Sequence, residues 1–124
     1  MKNLIIRLFA ILVLLTSSAF AWGYKTDEQP DAPQQVAAEH ILVKTAAEAV
    51  AIKKEIDNGG SFEYYAQKYS LCPSGQNGGY LGYFGHGQMV PEFESKAFSM
   101  NVGEVSNPIR TQYGWHLIKV IDKK

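Results

Sequence analysis

Trp115-His116-Leu117-Ile118-Lys119-Val120 is a short apolar run with a histidine inside it. At a period of two, His116, Ile118 and Val120 share one face, and Trp115, Leu117, Lys119 and Ile121 share the other, which is the alternation of a β-strand. A matching run, Glu39-His40-Ile41-Leu42-Val43, places His40 with Leu42 on one face and Ile41 with Val43 on the other. An imidazole is costly to bury without a partner, so the two strand histidines are most simply explained if each satisfies the other or both face one site. If the first and last strands pair in the middle of a sheet, His40 and His116 point to the same side as near neighbours.

Between these runs the pattern turns helical. Thr45 followed by Glu48 is a capping-box signature, and Ala49, Ile52 and Ile56 recur at helical spacing until Asn58-Gly59-Gly60 ends the helix. Ser61 caps a second, short helix in which Phe62, Tyr65, Ala66 and Tyr69 fall on one face. Leu71 to Gly79, rich in Pro, Ser, Gly, Gln and Asn, is expected to be irregular surface chain. Tyr80 to Phe84 suits a short strand, turned out by Gly85-His86-Gly87 with His86 as an exposed turn residue. Pro91 suits the first position of a third helix running to about Phe98, with Phe93, Ala97 and Phe98 on one face. Val105 to Arg110 and Trp115 to Ile121 are expected as two strands joined through Tyr113-Gly114. Helices bunched between outer strands argue for an α+β fold with a largely antiparallel sheet.

At 124 residues, with 46% hydrophobic and 19% charged residues, the chain fits one small globular domain. Its beginning has a different character. Lys2 and Arg7 precede the apolar stretch Leu8 to Leu15 and the small-residue ending Ala19-Phe20-Ala21, the layout of a secretory signal over residues 1–21. The apolar run is too short to span a bilayer, so no stable membrane insertion is expected after processing. Residues 22–36, in which Lys25 to Gln35 has almost no apolar side chains and carries Pro30 and Pro33, are expected to form a flexible linker, leaving 37–124 as the folded domain. Loss of Lys2 and Arg7 leaves 10 cations against 12 anions, a poor balance for binding nucleic acid or anionic lipid. An exported chain with one cysteine forms no internal disulfide, so stability must come from packing. That cysteine, Cys72, is a buried small hydrophobe, an intermolecular crosslinking point or a thiol kept for a site.

Two histidines and a cysteine are a possible nucleophile set, but no cysteine-protease signature surrounds Cys72. A zinc site is weaker still, because close ligand pairs such as Cys-x-x-Cys are missing from the sequence, and no metal or cofactor is expected. The glycines between Gly75 and Gly87 lack the Gly-Lys-Ser/Thr ending of a phosphate loop; their expected role is to let a peptide approach closely. Met89, Phe93 and Leu81 form apolar surface beside them, as core or as pocket.

Five segments in this order resemble the parvulin-type (PpiC-like, rotamase) peptidyl-prolyl cis-trans isomerases. They are His40-Ile41-Leu42-Val43, Cys72-Pro73-Ser74-Gly75, Gly78-Gly79-Tyr80-Leu81-Gly82, Gly87-Gln88-Met89-Val90-Pro91-Glu92-Phe93, and Thr111-Gln112-Tyr113-Gly114-Trp115-His116-Leu117-Ile118-Lys119-Val120. The resemblance implies a parvulin (FKBP-like) fold, a four-stranded antiparallel sheet surrounded by short helices. It also implies catalytic roles for His40, Cys72 and His116, the histidines hydrogen-bonded to each other on central strands with Cys72 beside them. Met89, Phe93 and Tyr113 would form the proline pocket, with Leu81 and Gln88 at its margin and Thr111 supporting the histidines. Its partners would be proline-containing polypeptides, met by an exported monomer in the periplasm or outside the cell. The alternative from another class is an exported chaperone-like binding module with weak or no isomerase activity. Two departures from the family pattern stand out: tyrosine at position 113, where phenylalanine is usual, and a short Lys44-Thr45-Ala46 loop without the basic cluster of phosphate-directed relatives.

Overall fold

The computed structural model describes residues 32–124. The expected leader and residues 22–31 of the expected linker lie outside the described residues. Four strands form one antiparallel sheet: β1 (Gln35–Val43), β2 (Tyr80–Gly85), β3 (Ile109–Thr111) and β4 (Gly114–Lys123), in the spatial order β2-β1-β4-β3. The first and last long strands are thus the central pair, and β1 begins at Gln35, inside the segment expected to be linker. Val36 explains the earlier start: it is fully buried and pairs with Phe84 on one side and Lys123 on the other.

Three α-helices cover the sheet: α1 (Ala46–Asp57), α2 (Phe62–Tyr69) and α3 (Pro91–Ser99). Thr45 and Glu48 form the expected capping box on α1, and Ser61 accepts from the Tyr64 N–H at the start of α2. Pro91 opens α3, where its missing N–H costs nothing, and Glu92 and Glu94 favour the positive end of the helix. The alternation of the central strands divides the core by face. Ala38, Ile118 and Val120 pack with Phe84, Phe93, Ala97 and Met100 on the α3 side. Ile41, Val43 and Leu117 pack with Ala49, Ile52, Phe62 and Ala66 beneath α1 and α2. Burial of side chains of this size stabilises by about 1.5–3 kcal/mol each, so both faces contribute to holding the central strands in register.

Two segments differ from the sequence expectation. The Pro-Ser-Gly stretch contains a 3-10 helix, Pro73–Asn77, closed by Gly78 in the left-handed region. The strand expected from Val105 to Arg110 is reduced to Ile109–Thr111, with Val105 forming an isolated bridge to Lys119. Pro108 has no N–H to give a ladder. Ser106, 2% exposed, ties the segment down instead: its N–H donates to the Ile118 carbonyl (2.8 Å) and its hydroxyl accepts from the Ile118 N–H (2.9 Å).

Within the glycine segment a close backbone approach occurs at Gly79, made by the chain's own first strand. Its φ is +89°, and a Cβ there would stand 2.3 Å from the His40 carbonyl oxygen. The His40 N–H donates to the Gly79 carbonyl (2.9 Å), so this glycine lets a neighbouring segment clamp the histidine's own backbone. Gly79→Ala is therefore expected to destabilise by about 2–4 kcal/mol, measured by urea unfolding; a loss below about 0.5 kcal/mol would remove the clamp from the account.

On the α2 side of the sheet, Glu39 is nearly buried opposite Lys119 in the ladder, and Lys119 Nζ lies 3.0 Å from Glu63 on α2. Burial, then the hydrogen bond to Glu63 and its charge, raises the Glu39 carboxyl to about 7. Glu39 Oε2 has no hydrogen-bond partner among the described residues, in keeping with a neutral acid. Between the ordinary carboxylate range and pH 7 the folded state then holds a proton that the unfolded chain has released, so this contribution to stability drains away as pH rises through that window. Glu39→Gln keeps a donor toward Glu63 and cannot ionise. Its Tm relative to wild type is expected to climb by roughly 5 °C between pH 5 and pH 8, followed by calorimetry; a pH-independent offset would contradict the assignment.

Candidate active site

The register of the central strands sets His40 opposite Ile118 and His116 opposite Leu42, so the two imidazoles sit diagonally on one face. Their Nδ1 atoms are 3.1 Å apart, with the rings nearly parallel at an interplanar angle of 18°. The chain of contacts extends at both ends. His40 Nε2 lies 3.1 Å from Ser74 Oγ, and His116 Nε2 lies 2.7 Å from Thr111 Oγ1, which also accepts from the Tyr113 N–H.

Hydrogen-bond accounting selects the direction of this chain. A neutral imidazole has one donor and one acceptor, so only one ring can offer its Nδ1–H to the other. If His116 donates to His40, then His40 Nε2–H donates to Ser74 and the Thr111 hydroxyl donates to His116 Nε2. Thr111 then uses its hydrogen while still accepting from Tyr113. The opposite direction leaves the Thr111 hydrogen without a partner in this chain. Two imidazolium rings would set N–H against N–H across the gap. Burial, with His116 beside it, accordingly pushes His40 down to about 4, and burial also lowers His116.

Against this pair lies a groove of about 410 Å³. Phe93 forms its floor, set edge-on to both rings with centroids 5.7 and 5.5 Å away. Leu81, Gln88, Met89 and Tyr113 line it as well, together with Cys72 and the two histidines. The turn that carries Gln88 and Met89 is tied on several sides. Gln88 Oε1 accepts from the Gly85 N–H (2.7 Å), and Glu94 accepts from the Gly87 N–H. His86, expected as a plain turn residue, keeps its side chain exposed but stacks on Phe98 at 4.2 Å and lies 3.7 Å from Glu94.

Leu81, Gln88, Met89, Phe93 and Tyr113 thus converge on one groove. Tyr113 is 64% exposed, so the hydroxyl added at this position has access to water. Thr111 is placed differently from a groove residue: it is buried behind His116 and orients that ring. Cys72 lines the groove without joining the histidine chain; its backbone N–H donates to Ser70 Oγ and its carbonyl accepts from the Gly75 N–H. Ser74, given no role from sequence, is the partner of His40 Nε2. The signal available was its place in Cys72-Pro73-Ser74-Gly75. Leu42, Leu71, Pro73 and Val90 also line the groove and were not singled out for it.

The arrangement sets two mutually hydrogen-bonded histidines, both held below the usual histidine range by burial, beside a largely apolar groove, and comparison with known proteins identifies the family. The family model described as Rotamase, PPIC-type PPIase domain, matches residues 28–122. A parvulin-like PPIase of Rickettsia typhi is 46% identical over 95 residues, covering 73% of this chain and 34% of that protein. The crystal structure of the peptidylprolyl isomerase PrsA from Bacillus anthracis superposes with a TM-score of 0.73 at 40% identity, covering 82% of this chain and 47% of that one. The solution structure of the parvulin of Nitrosopumilus maritimus gives a TM-score of 0.66 at 40% identity, covering 72% of this chain and 97% of that one. The chain spans about a third of the length of the curated relatives it matches. With the sheet order, the paired histidines and the groove in place, this chain belongs to the PpiC-type peptidyl-prolyl cis-trans isomerase family.

Proposed function

We propose that the chain accelerates cis-trans rotation about X-Pro bonds in polypeptides without forming a bond to the substrate. The observation that carries this reading is an apolar groove lying against two mutually hydrogen-bonded, weakly basic imidazoles. Rotation is slow because amide resonance must be broken, at a barrier of about 18–20 kcal/mol. Nothing in that step demands a nucleophile or a proton acceptor.

Met89, Phe93 and Tyr113 hold the prolyl ring away from water. A planar amide owes part of its stability in water to charge separation between oxygen and nitrogen, and the twisted amide has lost that separation. A desolvating groove therefore favours the twisted form. The imidazole pair supplies a fixed, uncharged polar surface beside the rotating bond, held in one orientation by Ser74 and Thr111. Cys72 presents its thiol to the groove as a weak donor, so its role is polar contact rather than covalent attack.

The preferred substrates on this reading are unfolded, proline-containing polypeptides with no requirement for phosphate before proline, since the Lys44-Thr45-Ala46 loop offers one cation. The layout of Lys2, Arg7, the apolar run Leu8 to Leu15 and Ala19-Phe20-Ala21 supports export, with the periplasm as destination. Residues 37–124, extended to Gln35 by the first strand, then act as the isomerase domain.

In a protease-coupled assay on an Ala-Pro tetrapeptide, Met89→Ala is expected to lower kcat/KM about tenfold, the equivalent of a partly lost apolar contact. Cys72→Ser should retain more than about a third of the activity; near-complete loss would require a covalent mechanism instead. The pH profile provides a separate check. With His40 near 4 when folded and in the ordinary histidine range when unfolded, its contribution to stability is complete above that range and is lost as pH falls toward 4. The value of kcat/KM is expected to stay level from about pH 6 to 8 and to fall only with unfolding in acid. An activity limb centred near pH 6.5 in the folded protein would mean that a histidine titrates during the reaction.

A further inference from the structure

Leu71 stands between two grooves. On one side it borders the prolyl groove together with Leu42 and Cys72. On the other it borders a larger hollow of about 620 Å³ between α1 and α2, floored by Val43 and Ile52 and walled by Ala51, Tyr65 and Tyr69. Leu42 and Val43 are consecutive strand residues, so the two grooves open on opposite faces of the sheet and meet around the end of β1.

Leu71 is 55% exposed, yet its backbone is held firmly. Its N–H donates to the Leu42 carbonyl (2.8 Å), and the preceding Ser70 hydroxyl accepts from the N–H groups of Leu42 (3.1 Å) and Cys72 (3.3 Å). A large apolar side chain fixed outward in this way is a ridge joining two apolar hollows.

We propose that the α1–α2 groove is a second subsite for the same polypeptide: a substrate with its proline in the first groove passes over Leu71 and lays a large apolar side chain against Ile52, Tyr65 and Tyr69. This rests on the reading of the first groove as a prolyl-peptide site, and the occupant follows from the continuity of the two hollows through Leu71. Packed layers lie roughly 10 Å apart and the path rounds the strand end from one face of the sheet to the other, roughly 15–20 Å; at about 3.3 Å per residue the apolar residue falls roughly four to six positions from the proline. Charge does not select the occupant. Glu48 is engaged by the Lys44 and Thr45 N–H groups, leaving Lys44 and Glu55 of opposite sign at the rim.

The test uses the full chain and two fifteen-residue peptides with one central Ala-Pro, alike except that one carries leucines four to six positions on each side and the other serines. The wild type is expected to show a kcat/KM ratio, leucine over serine peptide, of roughly five, and Ala51→Lys should bring that ratio to about one. Tyr69→Ser, on the opposite wall, serves if the first variant does not fold. Amide chemical shifts of Ala51, Glu55 and Tyr69 should move with the leucine peptide and not with the serine peptide. A wild-type ratio of one, or shifts confined to the Met89 groove, overturns the subsite. Shifts at these amides that depend on protein concentration without peptide overturn it in favour of a second copy of the chain. Absence of turnover on either peptide counts against the isomerase reading, while the shift titration still decides whether the second groove takes the apolar segment.

Discussion

One hydrogen bond, between Nδ1 atoms 3.1 Å apart on the two central strands, governs much of this molecule. It exists only if the strands pair in the register that sets His40 beside Leu42 on one strand and His116 opposite it on the other. A one-residue slip would carry an imidazole to the other face, among Ile41, Val43 and Leu117, where a polar ring has no partner. Because two neutral rings make the bond in one direction, the pair also discourages protonation, and burial works the same way. Packing, register and charge state are thus parts of one constraint.

The surrounding structure holds that constraint from several sides. Gly79 allows backbone to press against His40, and Ser74 and Thr111 terminate the imidazole chain at either end. Phe93 sets its edge against both rings while its helix packs on Phe84 and its neighbours, so the floor of the groove is also part of the hydrophobic core. Such a site favours rigidity over acid-base chemistry, which suits the proposed rotation, in which a twisted amide is stabilised and no proton is moved. The opposite face contributes a second polar feature, the Glu39, Glu63 and Lys119 group, whose proton inventory acts on stability away from the groove.

Much of this was legible in the chain itself. Period-two alternation identified the central strands, Thr45 with Glu48 located the start of α1, and Ser61 and Pro91 located the starts of α2 and α3, because caps and alternation depend on neighbours within a few residues. The Met89 and Phe93 groove was legible through motif order. The strand edges were not: Val36 joins β1 because Phe84 and Lys123 are there to pair with it, and the segment after Val105 leaves the ladder because Ser106 and Pro108 act on Ile118 and on the missing N–H. The role of Ser74 was hidden for the same reason, since its partner lies 34 positions away in sequence.

The sequence by itself determined most of the local elements, the α+β class and the strand face on which each histidine lies, since each follows from the covalent geometry and periodicity of short stretches. The tertiary structure alone decided that the two histidines meet, that Ser74 completes their chain, that Cys72 stays outside it, and that Leu71 joins two hollows. Those outcomes depend on contacts between residues distant in sequence. Their distances and burial come into being only when the sheet closes and the helices settle on its two faces.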